Sequence, residues 1–91
     1  MKEAAFRVRG RVQGVGFRWW TRSQATRLGL EGSVRNLPDG SVEVHLRGDD
    51  AAFHEMVRML GHGPRGAHVE NVEEVAAAHA PQASGFSILR G

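Results

Sequence analysis

The sequence predicts an α+β sandwich: an antiparallel sheet with two helices on one face, element order βαββαβ, and a short extra C-terminal strand. Three observations predict it. Two segments, Ala5 to Val12 and Ser41 to Arg47, alternate apolar and polar residues, the period of a strand with one face buried. Two others carry helical spacing: Arg18 to Leu28, and the stretch holding Phe53, Met56, Val57 and Leu60. Glycine, proline and aspartate cluster between them as turn signals.

In the first strand Phe6, Val8 and Val12 point to the core and Arg7, Arg9 and Arg11 point away. Gly10 falls in the core phase, which predicts close approach by another element. Gln13 to Phe17 reads QGVGF, a loop by its two glycines. The helix over Arg18 to Leu28 contains no Pro or Gly and stops at Gly29, with Leu30 closing a Schellman-type end. Its inward candidates are Phe17, Trp20 or Thr21, Ala25 and Leu28. Trp19 and Trp20 lie about 100° apart around the axis, so only one of them can face inward.

Glu31 to Asn36 and Ser41 to Arg47 form a hairpin across Leu37-Pro38-Asp39-Gly40. Proline presets φ there, aspartate bonds locally and glycine turns the chain. Val42, Val44 and Leu46 face inward; Glu43, His45 and Arg47 face outward. Asp49 or Asp50 caps the second helix. Phe53, Met56, Val57 and Leu60 make its core stripe, and Gly61, Gly63, Pro64 and Gly66 end it. Ala67 to Val75 is the fourth strand. Val69, Val72 and Val75 recur every third residue, which predicts a bulge. Ala76 to Ser84 is an irregular connection, and Gly85 to Leu89 closes the sheet with Phe86 and Ile88 inward. Right-handed crossovers make this a ferredoxin-like sandwich.

The length, 91 residues, is that of one domain, expected to span 1–91. With 41% hydrophobic and 24% charged residues the composition argues against disorder. Cysteine is absent, which removes disulfides, Cys–zinc sites and thiol catalysis. No apolar run approaches membrane-spanning length, and Met1 to Gly10 lacks the apolar stretch of a signal peptide. The expected compartment is the cytoplasm, and a monomer is expected.

Charge is unevenly spread. Met1 to Gly48 carries 9 Lys/Arg against 4 acids, or +5, while the remainder carries 3 against 6, or −3. A basic first half suits an anionic ligand. It also suits a solvated sheet face balanced by cross-strand acids.

The chemistry concentrates where the first strand meets the first helix. Gly14 and Gly16 let several N–H groups of Gln13 to Phe17 converge, and the helix start adds unpaired donors and partial positive charge. This forms an anion nest, to which Arg18 adds a permanent cation with a bidentate fork. The loop has neither the Gly-Lys-Ser/Thr ending of a P-loop nor a Rossmann fingerprint. By spacing alone, a tight strand-to-helix turn with a surface arginine would read the same way.

Gly10-Arg11-Val12-Gln13-Gly14-Val15-Gly16-Phe17-Arg18 resembles the first motif of the acylphosphatase family. Gly32-Ser33-Val34-Arg35-Asn36, followed by Asp39-Gly40-Ser41-Val42-Glu43, resembles the second. The resemblance runs from Phe6 to Ile88. It implies hydrolysis of the carboxyl–phosphoryl anhydride of acyl phosphates to a carboxylate and inorganic phosphate. It also implies that Gln13, Gly14, Val15, Gly16 and Phe17 cradle the phosphate, that Arg18 grips the phosphoryl group, and that Asn36 orients the attacking water. The implied partners are a small acyl phosphate and inorganic phosphate or other anions, with no cofactor and no metal. Two positions depart from the pattern: Ser33 stands where the family usually has an aromatic residue beside Asn36, and Gly16 replaces a bulkier residue of some members. A 91-residue chain is expected to be a stand-alone enzyme rather than a domain fused to a hydrogenase-maturation carbamoyltransferase.

Other features carry less. His45, His54, His62, His68 and His79 form no H-x-x-x-H pair, and no G-x-S-x-G nucleophile elbow exists. Trp19 and Trp20 would either flank the core edge or line an acyl pocket beside Arg18. An RNA-recognition module shares the βαββαβ order, but Glu43, His45 and Arg47 stand where that reading needs aromatics. No nucleic-acid or membrane partner is expected.

Overall fold

A computed structural model of the chain describes residues 1–76 and 84–90. The elements run β1 (Lys2–Arg11), α1 (Phe17–Arg27), β2 (Glu31–Asn36), β3 (Val42–Gly48), α2 (Asp50–Leu60), β4 (His68–Val75) and β5 (Phe86–Ile88). The connection expected over Ala76 to Ser84 falls, at 77–83, outside the described residues.

The strands form one sheet ordered β4-β1-β3-β2-β5. The first four pair antiparallel. β5, the short extra strand, makes the sheet mixed: it runs parallel to β2, with Gly32 opposite Phe86 and Val34 opposite Ile88. A tight turn cannot join parallel neighbours, and β3, α2 and β4 lie between β2 and β5 in the chain.

Both helices cover one face. Phe6, Val8, Val34, Val42, Val44 and Leu46 from the sheet pack with Phe17 and Ala25 of α1 and Phe53, Met56 and Leu60 of α2 in a single core. The Phe6 and Phe53 rings are tilted, 5.9 Å apart. Fully burying a side chain of this size contributes roughly 1.5–3 kcal/mol.

The helix ends follow their local chemistry. Asp49 is the cap of α2, accepting from Ala51 N–H at 3.2 Å. At the end of α1, Leu30 N–H donates to Ala25 O at 2.9 Å and Gly29 N–H to Thr26 O at 3.0 Å, the paired bonds of a Schellman stop. Of the two inward options, Thr21 is buried, while Trp20 packs at the core edge.

The bulge lies in β4. Arg9 faces Asn71 and Gly10 faces Val69, so Glu70 is the extra residue. It brings Val69 and Val72 onto the core face despite their spacing of three. Val75 differs: it lies opposite Ala5, on the face away from the helices. Gly10 is where β4 comes closest, for a Cβ there would sit 2.1 Å from His68 O.

The open face carries cross-strand charge rows. Glu73, Arg7, Glu43 and Arg35 alternate across β4, β1, β3 and β2, and Glu3, Arg47 and Glu31 alternate across β1, β3 and β2. Arg35 Nε donates to Glu43 at 2.8 Å, and Arg47 bonds Glu31. Arg7 of the β1 stripe thus lies between two acids and Arg9 pairs with Asp39 and Glu73, while Arg11 stands opposite His68. His45 faces this side as expected but is buried, 4% exposed. It sits on a central strand between Ala5 and Ser33, with Glu3 Oε2 2.7 Å from its Nε2.

Candidate active site

The loop after β1 is clamped at both ends. Val12 and Phe17 are buried, and the Phe17 ring meets the Trp20 ring at 5.4 Å. Between these anchors Gly14 and Gly16 are exposed, with φ of 76° and 77°. Gly16 is the N-cap of α1 in the left-handed conformation, with no side-chain cap. Non-glycine residues resist that conformation. Among the described residues, no main-chain N–H from Gly14 to Arg18 finds a hydrogen-bond partner. These donors gather at a helix start, where the aligned peptide dipoles add partial positive charge. The loop therefore has the make-up of an anion cradle.

The Gln13 side chain is engaged elsewhere. Its amide donates to Leu37 O and to Ser41 O, both at 2.9 Å. It ties the loop to the β2–β3 turn rather than pointing at a ligand. That turn is braced from within. Asp39 Oδ1 accepts from Ser41 N–H at 2.9 Å and from the Ser41 hydroxyl. These bonds, with Arg7 and Arg9 nearby, hold the Asp39 carboxyl below its ordinary range against the opposing effect of partial desolvation.

Arg18 and Asn36 line one cleft of about 360 Å³ together with Leu37, Pro38 and Arg90. Eighteen residues separate the first two in sequence. Asn36 faces the helix side because it pairs with Val42. Its Oδ1 is buried with no hydrogen-bond partner among the described residues. Arg18 likewise makes no ion pair or hydrogen bond there. Ser33 does not flank Asn36: three positions away on a strand, it faces the opposite side, between His45 and Ser87. Neither tryptophan lines the cleft. Trp19 is 65% exposed beneath the Arg22 guanidinium, 5.5 Å from the ring centre.

Arg90 lines the cleft, a placement that sequence reasoning did not foresee. The parallel pairing of β5 could have pointed to it, because continuing that register past Val34–Ile88 sets Arg90 beside Asn36.

Among the described residues no helix is long and apolar enough to cross a membrane. The acylphosphatase family model matches residues 4–88. An acylphosphatase of Rhizobium meliloti is 50% identical over 92 residues, covering 99% of this chain and 95% of its own length. The crystal structure of acylphosphatase from Bacillus subtilis superposes with a TM-score of 0.88 at 31% identity, covering 98% of this chain and 99% of that one. An acylphosphatase structure from Coxiella burnetii gives 0.80 at 35% identity, covering 96% and 93%.

Proposed function

Because the chain belongs to the acylphosphatase family, we propose that Arg18 and Asn36 act together in its cleft on the phosphoryl group of an acyl phosphate. The enzyme is a hydrolase acting on acyl phosphates. The observation that carries the residue assignment is the shared cleft of a permanent cation and an unpaired amide acceptor; the loop of free N–H donors is not in its lining but adjoins it through Arg18 and the Gln13–Leu37 bond.

The N–H groups of Gly14 to Phe17 receive the non-bridging oxygens, with Gln13 contributing through its main chain and through its hold on the turn. Arg18 offers its planar fork to the same group. The Asn36 side chain has both an acceptor and donors. Its Oδ1 accepts one hydrogen of the attacking water, and its amide N–H donates to a phosphoryl oxygen. The water oxygen forms a new bond to phosphorus as the phosphorus–oxygen bond to the acyl group breaks. The acyl oxygen leaves with the electron pair as carboxylate, and the water proton passes to a phosphoryl oxygen. A carboxylate needs no strong acid to leave, so positioning and charge stabilisation carry the catalysis. Leu37 and Pro38 offer an apolar wall to the acyl carbons.

The reading takes residues 1–91 as one domain acting as a cytoplasmic monomer, with inorganic phosphate and related anions as competitors. Benzoyl phosphate hydrolysis in the presence of a chelator tests it. Fast turnover, lost in folded Arg18→Ala and Asn36→Ala, supports the assignment. A folded wild type without turnover refutes the activity, and substantial activity in folded Arg18→Ala refutes the site.

A further inference from the structure

We infer that Arg90 is a second cation for the phosphoryl group, binding it alongside Arg18. The inference rests on the reading that the phosphoryl group enters this cleft.

Three observations support it. The first is position. Leu89 N–H donates to Val34 O at 2.9 Å, which fixes the chain against β2 one residue before Arg90. The β2–β5 pairs Gly32–Phe86, Ser33–Ser87 and Val34–Ile88 continue in register to Asn36–Arg90. Strand side chains alternate, so Arg90 follows Phe86 and Ile88 onto the side that Asn36 faces, and its side chain lines the cleft.

The second is charge. A phosphoryl group carries up to two negative charges near neutral pH. The cradle donors are neutral, and Arg18 cancels one charge. Among the described residues that line the cleft, Arg90 is the other cation and none is a carboxylate. Two guanidiniums match a dianion, whereas one leaves a net negative charge in a partly desolvated cleft.

The third is availability. Among the described residues Arg90 has no ion pair or hydrogen bond. The acid in the neighbouring turn, Asp39, is engaged by Ser41 and Arg9. An arginine committed to surface pairing would resemble Arg58, whose fork is held by Glu55.

The test measures binding of inorganic phosphate to the folded protein by calorimetry, beside kcat and KM for benzoyl phosphate. Arg90 is exposed, so Arg90→Gln is expected to keep the wild-type urea midpoint. It should weaken phosphate binding about five- to tenfold, the effect of a charge-assisted hydrogen bond discounted for exposure. KM should rise in step, and the salt dependence of phosphate binding should become shallower. Arg90→Lys should recover most of the loss, and Arg90→Glu should bind more weakly than Arg90→Gln. Wild-type phosphate affinity in Arg90→Gln overturns the inference. So does a rise in KM with phosphate binding unmoved, which would assign Arg90 to the acyl end. A wild type that binds phosphate through Arg90 but turns over no acyl phosphate would refute the activity and leave the inference standing.

Discussion

The side-chain amide of Gln13 donates to the carbonyl oxygen of Leu37 at 2.9 Å, joining the loop after β1 to the turn that follows Asn36. Two halves of the site, from different strands, are held in register by this side chain and its second bond to Ser41 O. Gln13→Ala should lower kcat by roughly tenfold or more, because misplacing a water by a fraction of an ångström costs rate. Stability should fall by only about 1 kcal/mol, since Leu37 O keeps the Gly40 N–H and Ser41 O keeps the Leu37 N–H. Steady-state kinetics and urea unfolding check the split; loss of stability without loss of kcat would contradict it.

Arg18→Ala removes the cation at the helix start. It should lower kcat/KM by about 10²–10³ or more, as expected for a preorganised donor to developing charge. The fold should survive, because Arg18 has no partner among the described residues. Unfolding curves paired with phosphate inhibition decide it.

Asn36→Ala should reduce kcat far more than it raises KM, since a water is positioned chiefly for the transition state. Asn36→Asp should not rescue, because an ionised carboxylate accepts but cannot donate to a phosphoryl oxygen. A pure KM effect would argue that Asn36 only binds substrate.

Two glycines should separate steric cost from conformational cost. A Cβ at Gly10 would meet His68 O at 2.1 Å and Glu70 N at 2.9 Å, both backbone atoms. Gly10→Ala should therefore destabilise by about 3 kcal/mol or more by forcing β1 and β4 apart. At Gly16 a Cβ meets nothing within 4 Å. Gly16→Ala should cost only about 1–2 kcal/mol for its left-handed backbone, with the larger loss in activity as the cradle reshapes. Equal destabilisation by the two would contradict this account.

Acid stability should depend on Asp39. Its folded-state pKa lies below the ordinary 3.8, chiefly through the Ser41 hydroxyl and Ser41 N–H. A depressed carboxyl stabilises the fold fully above the unfolded value, and that contribution is lost as pH falls through the folded value. The wild type should thus exceed Asp39→Asn in urea midpoint at neutral pH. The gap should close as pH drops below 3.8. A gap that persists undiminished to about pH 2 would contradict the assignment.

Local patterns carried much of this protein in its sequence. Period two marked β1 and β3, the Phe53–Met56–Val57–Leu60 stripe marked α2, and the Gly29–Leu30 pair marked a helix stop, because each follows from bonds or spacings within a few residues. The Gly14 and Gly16 loop with Arg18 was legible for the same reason. The valine spacing in β4 also announced its bulge.

Tertiary structure decided what depends on elements distant in sequence. The parallel β2–β5 edge, the burial of His45 between neighbouring strands and the placing of Val75 on the open face all follow from strand pairing. So does the second grip of Gln13, on a turn 24 residues away. Arg90 is the sharpest case. It is an ordinary surface arginine in the sequence, and only the register of β5 against β2 brings it to the cleft of Arg18 and Asn36. A side chain's own period tells which face it occupies, and the strand it pairs with tells what shares that face.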